Sequence, residues 1–312
     1  MNSNVWILTF ADAISIATTL ILASLGAMIT ERSGVINLGV EGYLLMGAVT
    51  GFIVADSTGQ LWLALVASII VGAAMALVHA TLTVTLRANQ IVSGLAMVIF
   101  GTGLSQFIGK PVEGKTRPVI IDKIKFGTLS DLPLVGPIIF GHDPITYLTW
   151  LLALSISLYF HRTRPGLILR ATGDAPATVD AQGVSVRRVR YLHTVVGGAL
   201  MGLGGGWYMF ARAAAWSQAA TTNGIGWIAL ALVVFASWRP LRAIVGAVLF
   251  GFCLQVPFTL QGQQINILPP EIVSMFPYLM TLVVLVALST PRARRLLGAP
   301  KMLGQPFVRD ER

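Results

Sequence analysis

Three ionisable side chains, Asp12, Glu41 and His79, stand inside apolar runs where each needs a partner or water. The surroundings of Glu41 are the most informative. Gly34, Asn37, Gly39 and Gly42 flank the carboxylate, a composition that weakens a helix and leaves backbone N–H and C=O groups open to a cavity. Asn37 and Glu41 together offer donors and acceptors suited to a small polar solute. Asn89, Gln90 and Ser93 open another apolar run in the same manner, and with Asn37 and Glu41 they make the expected substrate path. The competing reading of Glu41 is a carboxylate that pairs with a neighbouring segment to fix packing. His79 fits a hydrogen-bonded packing residue better than a proton relay, and Asp12 lies near the end of its run, where an interfacial position accounts for it.

Catalysis has no support. No group of His, Cys, Asp and Glu has metal-ligand spacing, and no serine, histidine and acid lie on a strand-turn-helix frame. The single Cys253 cannot form an intrachain disulfide. Gly109-Lys110 ends nothing like a phosphate loop, because Leu104 stands five positions before Gly109 and Pro111 follows the lysine. Gly224-Ile225-Gly226-Trp227-Ile228-Ala229 fits a dinucleotide fingerprint by letter but follows no strand. Gly198, Gly202 and Gly206 recur at spacing four, which suits close helix packing.

The elements that must position these residues follow from composition. The chain has 312 residues, 55% hydrophobic and only 11% charged, and a mean hydropathy of +0.76, so it is expected to be an all-α polytopic membrane protein rather than a soluble enzyme. Apolar blocks at Val5 to Ile29, Val35 to Ala55, Leu61 to Leu86, Ile91 to Ile108, Ile145 to Phe160, Tyr191 to Ala211, Ile225 to Trp238, Ala243 to Leu260 and Ile272 to Leu288 predict about nine transmembrane helices. The fifth and seventh fall short of a usual span. No Lys or Arg precedes the first block and it is too long for a signal h-region, so it is expected to remain as a span. On one helix from Arg32, Glu41 would lie about 14 Å deep.

The net charge of +9 sits mostly in alternate loops. Arg32, Arg87, Arg239, Arg242, the six arginines between residues 161 and 190, and the basic residues of the tail at 289–312 share one side; Lys110, Lys115, Arg117, Lys123, Lys125 and Arg212 share the other. The positive-inside rule then places the N-terminus outside and the C-terminus in the cytoplasm, and membrane orientation accounts for the charge without nucleic acid. Residues 109–144 form a long external loop with an apolar patch at Leu134 to Phe140, a docking face; residues 161–190 form a cytoplasmic loop too polar for lipid. Pro176 and Gly183 bound a short helix within it. Ile91-Val92-Ser93 and Ile272-Val273-Ser274, together with the glycine-rich starts at Gly34 and Gly224, suggest an inverted repeat of spans two to four and seven to nine.

These motifs resemble those of the inner-membrane permease subunits of bacterial ATP-binding-cassette importers, in the group of ribose, branched-chain amino acid and nucleoside permeases. Glu31-Arg32-Ser33-Gly34-Val35-Ile36-Asn37-Leu38-Gly39-Val40-Glu41-Gly42 is similar to the family's second-span motif, and Ala88-Asn89-Gln90-Ile91-Val92-Ser93 to a later span start, with Gln90 in place of the usual acid. Gly173 to Arg190 and the glycine-rich run to Gly206 resemble the coupling loop and the helix after it, with Asp174-Ala175-Pro176 where the family usually has Glu-Asn-Pro. Gly226-Trp227-Ile228-Ala229-Leu230-Ala231, Trp238 and Pro240 also match, and the tail from Leu303 to Arg312 is similar to the nucleoside or simple-sugar branch.

The resemblance implies a single permease domain over residues 1–312, with a cytoplasmic coupling helix that meets an ATPase through Gly173, Asp174, Pro176, Ala177, Asp180, Gly183 and Arg187. It implies a second homologous permease, two ATP-binding subunits that hold ATP and magnesium so that this chain holds no cofactor, an external substrate-binding lipoprotein, and a bacterial inner membrane. The expected cargo is a nucleoside or simple sugar; a branched-chain amino acid is the alternative within the family. An ion-coupled secondary transporter using Asp12, Glu41 or His79, and a structural membrane protein, are the alternatives outside it.

Overall fold

The computed structural model describes residues 3–217, 221–264, 269, 272–273, 275–288 and 298–308. These residues fold into α1 (Ser3–Arg32), α2 (Val40–Thr58), α3 (Leu61–Ala80), α4 (Gln90–Gly109), α5 (Pro144–Arg162), α6 (Arg164–Asp174), α7 (Pro176–Ala181), α8 (Val186–Ala211), α9 (Ile225–Phe235), α10 (Pro240–Gly262) and α11 (Phe276–Leu288). Among the described residues there is no sheet, only an isolated bridge between Thr116 and Ala215. Among the described residues, five helical segments are long and apolar enough to cross a membrane: Val5–Arg32, Val40–Thr58, Leu61–Thr85, Gln90–Val112 and Pro240–Gly262. Of the two blocks expected to be short, the fifth reaches 19 residues because Asp143 caps it, its Oδ1 accepting the N–H groups of Ile145 and Thr146 at 2.9 and 3.1 Å. The seventh remains 11 residues, about 16 Å of helix and half a hydrocarbon core.

The glycine spacing on α8 explains the packing. α8 lies against α1, α2 and α3. Gly198, Gly202 and Gly206 face α3: added β-carbons would meet the Ala76 β-carbon at 2.3 Å, the Ser68 carbonyl oxygen at 2.2 Å and the Ser68 Oγ at 2.3 Å. Gly197 and Gly205 do the same against Gly26 of α1 and Leu44 of α2. Any side chain there would force the helices apart, so the stripe sets the interhelix distance. Trp207 on α8 is fully buried and donates its indole N–H to Asp143 Oδ1 at 2.8 Å, tying the capped start of α5 to the centre of the bundle.

The second block departs from expectation. It becomes helical only at Val40, and residues 33–39 cross the gap from α1 without helix. Gly34 takes φ +91°, a left-handed conformation that glycine adopts without strain. The helical rise therefore does not apply between Arg32 and Glu41, and the depth reckoned on one continuous helix is corrected accordingly. The loop over residues 109–144 is anchored at its start by the bridge to the chain after α8, where the Gly114 N–H donates to the Trp216 carbonyl at 2.9 Å and the Trp216 N–H to the Lys115 carbonyl at 3.0 Å. Its apolar patch, with Leu134 and Ile139 exposed, runs into one π-helical turn, Gly136–Phe140.

Candidate functional site

Backbone freed from a helix inside an apolar bundle must find partners from side chains, and the break before α2 shows where they come from. The Ile36 N–H donates to Gln90 Oε1 at 2.7 Å, and the Ile36 carbonyl accepts from His79 Nε2 at 2.9 Å. Since a carbonyl only accepts, His79 carries its proton on Nε2 and takes the Ser93 hydroxyl at Nδ1, 2.9 Å away. Asn37 accepts the Gly39 N–H at 2.9 Å and donates to the Tyr43 hydroxyl at 3.0 Å. Asn37, His79, Gln90 and Ser93 are all buried. Gln90 Nε2 is buried without a partner, a donor left over at the heart of this cluster.

Glu41 reaches the other way, across to α9. Oε1 accepts the Thr222 hydroxyl at 2.5 Å and the Gly224 N–H at 3.1 Å, and Oε2 accepts the Gly226 N–H at 2.7 Å. A carboxylate at a helix N-terminus satisfies orphan donors and faces the positive end of the helix dipole. Gly226 is required by this approach, because a β-carbon there would lie 2.5 Å from the Glu41 backbone nitrogen. The glycines that fit a dinucleotide fingerprint by letter therefore receive an anion from within the chain. Of the expected path residues, Asn37, Gln90 and Ser93 converge on the break, Glu41 leaves from its end, and Asn89 stands apart as the exposed N-cap of α4, accepting from Ile91 and Val92. Asp12 is half-exposed and pairs with Arg212 at 3.4 Å, so it ties α1 to the residue after α8, away from the break.

The expected coupling residues gather on one face beside the break. α6 ends at Asp174, α7 starts on Pro176, and Gly183 closes α7 at φ +79° with its N–H on the Asp180 carbonyl at 2.9 Å. Asp174, Ala177, Gly183 and Arg187 are exposed, while Gly173 and Pro176 are buried. Gly173 is packed so that a β-carbon would lie 2.4 Å from the Arg32 carbonyl oxygen. Arg187 donates to Thr85 Oγ1 at 3.0 Å and stacks over the Tyr191 ring at 5.7 Å. A cleft of about 380 Å³ opens here, lined by Thr85, Arg87, Asp180, Arg187, Arg190 and Phe307 among others.

His79 is the hydrogen-bonded packing residue its sequence position suggests, whereas sequence reasoning missed Thr222 and the buried pair of Glu31 and Trp238, whose indole N–H donates to Glu31 Oε2 at 2.6 Å. These partners are separated by 181 and 207 residues, and their residue types alone do not single them out.

Residues 9–285 match the family described as branched-chain amino acid transport system / permease component. A putative glucose ABC transporter permease protein of Haloferax volcanii is 38% identical, covering 94% of this chain and 95% of its own. The guanosine ABC transporter permease protein NupQ of Bacillus subtilis is 34% identical over 95% of each chain. The nucleoside ABC transporter permease protein NupC of Lactococcus lactis is 30% identical over 96% of each.

Proposed function

The chain belongs to the permease-component family of branched-chain amino acid transport systems, and on that premise we propose how it forms and works a translocation path. It is a membrane permease subunit of an ATP-binding-cassette importer, and the family implies partnership with ATPase and substrate-binding components. We infer a single permease domain of about nine spans in the inner membrane, with the N-terminus outside, the arginine-bearing α6–α7 hairpin in the cytoplasm, a second similar permease beside it, and ATP and magnesium held only by the ATPases. The cargo is a nucleoside or simple sugar; two of the three relatives above are named for nucleosides and one for glucose.

One observation carries the reading. The starts of α2 and α9 meet at Glu41, and the broken entry to α2 is held by polar side chains from α3 and α4. Two glycine-led helix starts facing each other is what an inverted repeat of spans two to four and seven to nine would produce, and substrate sites form where such half-helices meet. In this conformation Asn37, Gln90, Ser93 and Glu41 are committed to the protein. When α2 and α9 part, the same donors and acceptors would face a polar neutral solute. Asp174, Pro176, Ala177, Asp180, Gly183 and Arg187, with Gly173 beneath them, would meet the ATPase.

The test is uptake by liposomes holding this chain with its ATPases and lipoprotein, using labelled guanosine and labelled glucose, each competed by the other. Saturable ATP-dependent uptake of one of them supports the reading. Uptake that follows an imposed ion gradient without ATP would turn it to the secondary-transporter alternative.

A further inference from the structure

The segment from Gly298 to Val308 returns to the face that carries the coupling helices, and its contacts serve two elements at once. The Met302 N–H donates to the Gly173 carbonyl at 2.9 Å, and the Lys301 N–H to Asp174 Oδ1 at 3.1 Å. Two residues further on, the Gly304 N–H donates to the Gly34 carbonyl at 3.2 Å. Gly304 holds φ +82°, and a β-carbon there would lie 2.8 Å from Cδ1 of Ile36. Within four residues the strap spans from the end of α6 to the break before α2.

Arg190 locks the same junction from α8. It is 1% exposed, donating from Nε to the Ser33 carbonyl at 3.2 Å and from Nη1 to the Gln305 carbonyl at 3.1 Å, with Nη2 buried and unpartnered. A planar guanidinium with two donors in use fixes the relative positions of both acceptors, here the start of the break and the strap.

We propose that Arg190 and the strap form the transmission between the coupling helices and the broken start of α2, making Arg190 a positioning residue of the transport cycle. This rests on the permease reading above. Gly173 also abuts the Arg32 carbonyl directly, and the hydrogen-bonded strap adds directional contacts that resist separation and sliding at this junction. A pull on α6 and α7 therefore reaches Gly34 and Ile36, and through the next residues Asn37 and Glu41.

Solute uptake and ATP hydrolysis are measured in the same liposomes, which hold the full complex. In Arg190→Met and Gly304→Val, ATP turnover stays within about twofold of wild type while solute moved per ATP falls by about tenfold, the scale of an ordinary coupling free energy; Arg190→Lys, which keeps a donor, falls between. An unchanged ratio overturns the proposal, and so does a loss of ATPase assembly, which would assign the strap to docking. Uptake and hydrolysis that fall in step also contradict it. A wild-type complex that moves solute without ATP counts against the permease reading, independently of the variants.

Discussion

Glu41 of α2 closes the N-terminus of α9 by accepting the Gly226 N–H at 2.7 Å, so the carboxylate that sequence places in an apolar run works as an intramolecular helix cap. Its other oxygen takes the Gly224 N–H and the Thr222 hydroxyl. Replacing one oxygen by an amide turns an acceptor into a donor facing a donor. Glu41→Gln is therefore expected to destabilise the bundle by about 2 kcal/mol, within the range for hydrogen bonds to a charged group. Thermal unfolding of the detergent-solubilised protein measures this, and a variant as stable as wild type would remove Glu41 from its capping role.

Gly183 holds φ +79°, which a β-branched residue adopts only under strain, and Asp174 holds the Lys301 N–H. Gly183→Val, Asp174→Ala and Pro176→Ala are expected to lower ATP-dependent uptake about fivefold or more, the low end of ordinary coupling energies, with unchanged abundance in the membrane. Normal uptake in all three would detach this hairpin from transport.

Packing on α8 leaves no room for a side chain at Gly202, where a β-carbon would lie 2.2 Å from the Ser68 carbonyl oxygen. Gly202→Leu is expected to cost more than about 3 kcal/mol, beyond ordinary overpacking, because the obstacle is backbone. Gly103→Leu serves as the comparison, since nothing lies within 4 Å of its β-carbon. Membrane abundance and thermal stability should fall in the first and hold in the second; equal stability would contradict the close approach of α3 and α8.

His142, near the end of the loop over residues 109–144, donates from Nε2 to the Ile138 carbonyl at 2.9 Å and sits edge-on to Trp150. Burial pushes its pKa below the ordinary histidine value. The unfolded loop thus binds a proton more readily than the folded one, so the stability His142 contributes is complete above about pH 6.5 and drains away as the pH falls through the depressed folded value. Protection factors of residues 123–143 against hydrogen exchange should fall from pH 7.5 to pH 5, and His142→Gln should flatten that fall. A wild-type loop whose protection does not fall would show that the ring binds a proton equally well folded and unfolded.

Helical character and the short helix between Pro176 and Gly183 were legible in sequence because glycine, proline and apolar runs act locally, while the glycines around Gly34 signalled a weakened helix but not the break itself. The α8 stripe was legible for the same reason: spacing four puts glycines on one face. The destinations of the polar side chains were not. Nothing near Glu41 points to Thr222, and nothing near Gln90 shows that its oxygen serves the Ile36 N–H; those pairings exist only once α2, α4 and α9 are packed. The helical start at Val40 rather than Val35 was hidden because Val35 and Ile36 are apolar, while their backbone conformation is set by partners distant in sequence.

The account stands on the α6–α7 hairpin lying in the cytoplasm, where ATPases bind. Gln182 is exposed beside the end of α7, and Gln182→Cys in a Cys253→Ser background places one label there. A membrane-impermeant maleimide applied to intact cells with the outer barrier opened should leave Gln182→Cys unlabelled until the inner membrane is breached. Full labelling from the outside would contradict the orientation, the coupling face and the transmission built upon them.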